Sequence, residues 1–123
     1  MPEQLNLTVS LRGSRDVREA CQIFRLTGLL DAFSEAVFRK VLGTCIDEGP
    51  ASVILDLTGI DFVDSSGLGA LVQVAKQVQE KSAKFQIVTN PRVTQTVKLV
   101  RLESFLSLQK TLDDALANLT HGD

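Results

Sequence analysis

The amino-acid sequence predicts an α/β fold: one domain in which a mixed, mostly parallel central sheet of four or five strands packs with about four helices. Short segments with strand-like apolar patterns alternate along the chain with longer segments whose apolar residues recur at helical spacing. The chain has 123 residues, about the size of one domain, and contains no linker, repeat or low-complexity segment. We therefore expect a single domain over residues 1–123, with its core at about 5–119.

The first two predicted strands form a hairpin. Apolar and polar residues alternate over residues 5–11, and this period of two predicts a strand with one buried face. Residues 13–19 are polar and predict a turn, and residues 21–26 have the pattern of a second strand. Because the segment between them is short, the two strands are expected to pair with each other.

A helix and a central strand follow the hairpin. Asp31 is a suitable cap for the helix, and Gly49-Pro50 is expected to end it. Its apolar stripe consists of Phe33, Val37, Val41, Leu42, Cys45 and Ile46. Residues 52–57 are almost continuously apolar, which predicts a central strand covered on both faces. Residues 56–61 are expected to turn toward the next helix.

The second half of the chain contains three more predicted helices and two short strands. The helix after Asp64 has an apolar stripe formed by Leu68, Leu71, Val72, Ala75 and Val78. Residues 85–88 predict a strand, and Asn90-Pro91 begins a third helix. The buried side of that helix is expected to consist of Val93, Val97 and Val100. Residues 105–108 predict a last short strand, and Thr111 is expected to cap a final helix through Leu112, Ala115, Leu116 and Leu119.

Composition and charge limit the classes of function. Hydrophobic residues make up 44% of the chain and the net charge is −2, so nothing attracts the protein broadly to nucleic acid or to an anionic membrane. No apolar run approaches the roughly 20 residues that span a bilayer, and Met1–Asn6 lacks the pattern of a secretion signal. Cys21 and Cys45 lie in apolar patterns without metal-ligand spacing, which predicts buried thiols in a reducing compartment. We expect a cytoplasmic protein.

The segment over residues 60–69 has the most informative chemistry. It brings the carboxylates of Asp61 and Asp64 and two hydroxyls to a helix N-terminus, where N–H groups are unpaired and the helix dipole is positive. Asp64 or Ser65 can cap the helix, and Gly67 allows another surface to approach the backbone closely. A phosphate added to a serine here would meet the helix N–H groups. An ordinary helix cap is the alternative interpretation of the same residues.

Three segments of the chain resemble the STAS domain family, which is named for sulfate transporters and anti-sigma factor antagonists. Residues 24–31, Phe-Arg-Leu-Thr-Gly-Leu-Leu-Asp, are similar to the family's strand that ends in Gly-Glu-Leu-Asp, and residues 53–57 are similar to its central strand. Residues 62–69, Phe-Val-Asp-Ser-Ser-Gly-Leu-Gly, nearly match its phosphorylation segment. The chain looks most like the short bacterial antagonists of the sporulation and general-stress types.

The resemblance implies a phosphorylation switch. The implied partner-binding surface consists of Asp31, Asp64, Ser65, Ser66, Gly67 and Leu68. Within it Ser65 would be the phosphoacceptor and Ser66 would line the helix end. Asp64 would cap and shape the site, with Asp31 close to it from the adjoining strand end.

The resemblance also implies the partners. In the family the unphosphorylated antagonist binds an anti-sigma factor that is also a serine kinase, and this binding releases the sigma factor. The kinase then uses ATP to phosphorylate the antagonist, which dissociates, and a metal-dependent phosphatase of the PP2C type resets it. No cofactor is implied for the antagonist itself. Leu29 stands where the family usually has glutamate; if that glutamate shapes the partner surface, this chain recognises a different partner.

Other classes of function have less support in the sequence. The only histidine, His121, lies in a polar tail, so a hydrolytic triad is not expected, and we predict that the protein is not an enzyme. Asp31, Asp61 and Asp64 could bind a cation through oxygen atoms, but no further ligand spacing supports a metal loop. The main alternative is a STAS-like subunit that docks on a lipid- or anion-transport complex without a phosphorylation cycle.

Overall fold

The computed structural model describes residues 2–120, which form six strands and five helices around one central sheet. The strands are β1 (Glu3–Gln4), β2 (Leu11–Val17), β3 (Gln22–Leu30), β4 (Val53–Val63), β5 (Phe85–Val88) and β6 (Leu108–Gln109). The helices are α1 (Glu35–Glu48), α2 (Ser65–Glu80), α3 (Pro91–Leu99), α4 (Glu103–Leu106) and α5 (Leu112–Thr120). The α/β class is confirmed. The extra elements are β1 and α4, which are too short to produce an apolar pattern in the sequence.

The sheet has the strand order β1-β2-β3-β4-β5-β6. The β1–β2 and β2–β3 pairs are antiparallel, whereas β3, β4, β5 and β6 pair in parallel, so the predicted mixed and mostly parallel sheet is confirmed. Parallel strands place their carboxyl ends at the same edge. The connections that leave β3 and β4 for α1 and α2 therefore meet at one edge of the sheet, which we call the carboxyl edge.

The N-terminal hairpin differs from the prediction. The first strand was expected at residues 5–11, but β2 begins at Leu11 and occupies the segment that was expected to be a turn. Leu5 and Leu7 pack against the core from an irregular segment, and Val9 is 95% exposed. The polar residues of β2 form a strand because their backbone pairs with β3 and their side chains bond to other segments: Arg15 donates to Gln22 Oε1 at 2.7 Å and to Glu3 Oε1 at 2.8 Å.

The central strand β4 is longer than predicted, and the turn expected at residues 56–61 is wrong. Pairing with β3 continues to Val63 through two shifts of register, each of which inserts one extra residue in β4. On its other side β4 pairs with β5 only as far as Asp56. Beyond that point the Asn90 amide nitrogen donates to the carbonyl oxygens of Leu57, Thr58 and Ile60, at 3.3, 3.2 and 2.8 Å.

The helix boundaries agree with most of the capping predictions. Gly49-Pro50 follows the end of α1, Asn90 caps α3 with Pro91 at its first position, and Thr111 Oγ1 accepts a hydrogen bond from Asp114 N at 3.0 Å. The predicted strand at 105–108 is wrong in its first part, because Phe105 and Leu106 belong to the single turn of α4. Val100, expected on the buried side of α3, is 50% exposed because it lies just beyond the helix end.

Apolar side chains are buried on both faces of the sheet. The larger cluster lies between the sheet and the layer that contains α1 and α2, and it includes Cys45. A smaller cluster on the other face packs under α5 and includes Cys21. Both cysteines are buried free thiols, as predicted, and burial raises the pKa of each. No helix among residues 2–120 is long and apolar enough to cross a membrane.

Candidate functional site at the carboxyl edge

The residues predicted to form the site meet where β3 and β4 end. Leu30 and Val63 are register partners at the ends of these strands, and Asp64 N donates to the Leu30 carbonyl oxygen at 3.3 Å. The next residues along each chain segment are Asp31 and Asp64. The structure therefore brings these two acidic residues to the same edge, as the resemblance to the family implies.

The Asp64 carboxylate binds two chain segments at once. Its Oδ1 accepts from Gly67 N at 2.8 Å, which is the N-cap hydrogen bond of α2. Its Oδ2 accepts from Ala32 N at 3.1 Å, in the turn that follows β3. The predicted cap is confirmed. The bond to Ala32 could not be read from the sequence, because the two residues are 32 positions apart.

Asp31 stabilises a turn rather than the first turn of α1. Its Oδ1 accepts from Phe33 N at 3.0 Å and from Ser34 N at 3.2 Å. The Ser34 hydroxyl is buried in the same turn, where it accepts from Asp31 N at 3.1 Å and donates to the Leu29 carbonyl at 2.9 Å. The helix begins only at Glu35. The turn over residues 31–34 is therefore held by side-chain hydrogen bonds from within and by Asp64 from outside.

Ser65 and Ser66 occupy the first turn of α2. Ser65 is the first residue of the helix and is exposed, whereas Ser66 is partly buried. Asp64, not Ser65, accepts the capping hydrogen bond, and none of the side-chain hydrogen bonds among the described residues involves the Ser65 hydroxyl. The hydroxyl of Ser65 is thus accessible to solvent at the end of a helix where N–H groups are available.

Gly67 and Leu68 lie behind this surface. A Cβ atom on Gly67 would collide with the carbonyl oxygen of Leu30, so the close approach that this glycine allows is to β3. The expectation that Gly67 gives a docking partner access to the backbone is therefore wrong, because the space beside Gly67 is filled by the backbone of β3. Leu68 is 7% exposed and belongs to the core. Apart from its chain neighbours and the adjacent helix backbone, no described atom lies within 4 Å of the ideal Cβ position of Gly69, so this glycine of α2 faces outward.

Two aromatic side chains at this edge were missed or misplaced by the sequence analysis. Phe33 was expected in the buried stripe of α1, but it precedes the helix and is 91% exposed. Phe62 is 54% exposed at the end of β4. Helical spacing placed Phe33 in the stripe only because the helix was assumed to begin directly after Asp31. The turn-forming pair Asp31 and Ser34 is the sequence signal that would have placed the helix start later.

The acidic residues of the edge do not form a metal centre. Among residues 2–120 no group of three histidine, cysteine, aspartate or glutamate side chains is placed to hold a metal ion. Both Asp64 carboxylate oxygens accept backbone hydrogen bonds, and Asp61 is exposed. His121 lies outside the described residues. The geometry at this edge supports capping and presentation of a serine.

Comparisons with known proteins agree with this fold. The STAS domain family model matches residues 14–115. The anti-sigma-F factor antagonist RsfB of Mycobacterium tuberculosis is 27% identical over 101 residues, which cover 81% of this chain and 82% of RsfB. An anti-sigma factor antagonist from Mycobacterium paratuberculosis has a similar structure, with a TM-score of 0.82 at 21% identity over 94% of this chain and 99% of that one. SpoIIAA in its unphosphorylated form has a TM-score of 0.72 at 19% identity, over 90% of this chain and 98% of SpoIIAA. Because the family model covers most of its length, the chain belongs to the STAS domain family.

Proposed function

We propose that this chain is an anti-sigma factor antagonist that phosphorylation of Ser65 switches off. In its unphosphorylated form it binds an anti-sigma factor that is also a serine kinase, and this binding releases the sigma factor. The kinase phosphorylates Ser65 with ATP, the complex dissociates, and a phosphatase of the PP2C type restores the binding form. The cycle takes place in the cytoplasm, and the chain itself acts as a binding protein.

The observation that supports this proposal best is the exposed Ser65 hydroxyl at the N-terminus of α2. Since Asp64 already caps the helix, phosphorylation of Ser65 would leave that cap in place. A phosphoserine has a charge of about −1.5 to −2 at neutral pH, and a helix N-terminus stabilises such a charge. The added charge would lie next to Asp64 along the chain and four residues after Asp61. The fold would therefore tolerate the modification, whereas a partner with acidic or apolar groups at this surface would not.

The names of the similar proteins favour the same function. RsfB and the Mycobacterium paratuberculosis protein are both named as anti-sigma factor antagonists. The STAS fold alone does not separate an antagonist from a transport-complex subunit, since the family includes both. The Asp64-Ser65-Ser66-Gly67 segment, presented at an exposed helix end, favours the antagonist.

Affinity capture from host lysate tests this proposal. The baits are the unphosphorylated wild-type chain, Ser65→Asp, and the control Ser104→Asp, which adds the same charge to the first turn of α4 at an exposed serine. We expect the wild type and the control to retain an ATP-binding serine kinase and Ser65→Asp to lose it. The purified kinase should then phosphorylate the wild type but not Ser65→Ala. Phosphate on Ser66 or a threonine of the Ser65→Ala variant would contradict the site, and recovery of the same transport subunits by all three baits would contradict the function.

A further inference from the structure

Exposed apolar side chains lie on the two chain segments that meet at the carboxyl edge. Phe33 is 91% exposed and Phe62 is 54% exposed. Leu29 is the register partner of Phe62 on β3, so these two side chains are neighbours on the same face of the sheet. A fully exposed aromatic side chain is unusual on a folded protein, and exposed apolar groups next to one another mark sites of interaction.

The backbone that carries Phe33 is held in place before any partner binds. The N–H groups of Phe33 and Ser34 donate to Asp31 Oδ1, and Ala32 N donates to Asp64 Oδ2 at 3.1 Å. An aromatic group on a fixed turn loses little conformational freedom on binding, because only its own two side-chain torsions remain to be ordered. The bond to Asp64 also ties this turn to the residue that caps the helix of Ser65.

The strand end beside Phe62 has a second apolar residue. Leu29 belongs to the Gly-Leu-Leu-Asp segment of β3 and is the register partner of Phe62. It places an uncharged, apolar side chain next to an exposed aromatic one. A partner that fits this edge therefore needs an apolar surface, and not a cationic group, opposite Leu29 and Phe62.

A second copy of the chain fits this surface poorly. A twofold contact places the same patch on both subunits, and it would bring Asp31, Asp61 and Asp64 of one copy close to the same carboxylates of the other. Like charges that face each other across an interface oppose association. The arrangement favours a different protein as the partner.

We propose that Phe33, supported by Leu29 and Phe62, determines which anti-sigma factor this chain recognises by inserting into an apolar pocket on that protein. The inference rests on the proposed function, because the pocket belongs to the partner that Ser65 phosphorylation releases. Phe33 supplies affinity and selectivity, and Ser65 supplies the switch. Aromatic residues near the centre of an interface commonly dominate its binding energy.

The test uses calorimetry to measure the affinity of four variants for the purified kinase that the capture experiment yields. Phe33→Ala should weaken binding about tenfold or more, as expected for an aromatic hot spot. Phe33→Leu, which keeps an apolar group, should recover part of the loss. Val9→Ala is the matched control, since Val9 is an apolar residue that is 95% exposed in the segment before β2, and it should bind as the wild type does. Ser65→Asp measures whether a negative charge at the proposed phosphorylation site weakens binding.

Direct contact is tested by placing a photoreactive phenylalanine analogue at position 33 or, as a control, at position 9. Position 33 should form a covalent adduct with the kinase and position 9 should not. If Ser65→Asp weakens binding while Phe33→Ala binds as the wild type does, the inference is wrong and the proposed function stands. If Ser65→Asp binds as the wild type does, or no kinase is captured, the proposed function fails and the inference fails with it. A concentration-dependent dimer of the wild type that Phe33→Ala abolishes would assign the patch to self-association instead.

Discussion

At the scale of single residues, the arrangement of Asp64 explains why Ser65 is available. A serine at the N-cap position would use its hydroxyl to accept a backbone hydrogen bond. Here Asp64 takes that position, and its second oxygen binds the turn after β3. The serine therefore lies one residue further along, exposed on the first turn of the helix. Asp64 thus separates the structural role of the cap from the proposed chemical role of the hydroxyl.

The packing of Gly67 leads to a prediction about stability. Gly67→Ala should lower the free energy of unfolding by about 2 kcal/mol or more, because the added methyl group meets the Leu30 carbonyl, a backbone atom that cannot move aside locally. Gly69→Ala is the matched control in the same helix. It should raise stability by about 0.5–1 kcal/mol, since nothing lies near its Cβ position and alanine favours a helix more than glycine does. Urea unfolding measures both. Equal stability of the two variants would contradict the packing described for Gly67.

At the scale of elements, the start of α3 supports the part of β4 that leads to the proposed switch site. Beyond Asp56, no strand within residues 2–120 pairs with β4 on the β5 side. The Asn90 side chain donates to three carbonyl oxygens of this segment and also caps α3 by accepting from Val93 N at 2.8 Å. Arg92 adds a hydrogen bond to the Asp61 carbonyl at 3.2 Å. The start of α3 thus takes the place that a neighbouring strand would occupy.

The two roles of Asn90 can be separated by one substitution. Asn90→Asp keeps an acceptor for the α3 cap but removes the amide donor to the β4 carbonyls. We expect faster hydrogen exchange over residues 57–63, retained protection in α3, and a loss of about 1–2 kcal/mol in the free energy of unfolding. Asn90→Ala, which removes the cap as well, should also lose protection in α3. Unchanged exchange over residues 57–63 in both variants would show that the Asn90 amide does not hold this segment.

At the scale of the whole molecule, the proposed switch site and the two thiols occupy separate regions. The site lies at the carboxyl edge, whereas Cys45 and Cys21 are buried in the clusters on opposite faces of the sheet. Burial raises the pKa of both thiols above the ordinary value of 9.0, an effect that Arg15 and Arg18 partly oppose. The folded chain therefore keeps thiol protons that the unfolded chain loses in alkaline solution.

The raised thiol pKa values predict how stability depends on pH. Below about pH 9 the folded and the unfolded chain both keep the thiol protons, so the contribution of the buried thiols to stability is complete. As the pH rises through the thiol pKa of the unfolded chain, only the unfolded chain loses these protons, and the free energy of unfolding therefore falls. Urea unfolding between about pH 8 and pH 10 should show a steeper decline for the wild type than for the variant with Cys21→Ala and Cys45→Ala. Parallel declines would contradict the prediction. The comparison uses slopes, because the substitutions also change core packing.

Patterns within the sequence determined the fold class, most helix boundaries and the chemistry of the switch segment. The apolar run of β4, the stripe of α2, and the caps Asp64, Asn90 and Thr111 are local features, because each depends on residues within a few positions of one another. The Asp64-Ser65-Ser66-Gly67 segment is equally local. For this reason the sequence was enough to place the capping residue and the serine on the same helix end.

Only the tertiary structure decided features that depend on contacts between distant segments. The polar strand β2 exists because Arg15 pairs with Gln22 and Glu3, and the extension of β4 exists because β3 and Asn90 satisfy its backbone. Gly67 faces β3 instead of a partner for the same kind of reason. The exposure of Phe33 also depends on where the turn after β3 is fixed, and a bond to Asp64, 32 residues from Ala32, helps to fix it. Apolar periodicity reports burial along one element, whereas these features depend on hydrogen bonds and contacts between elements.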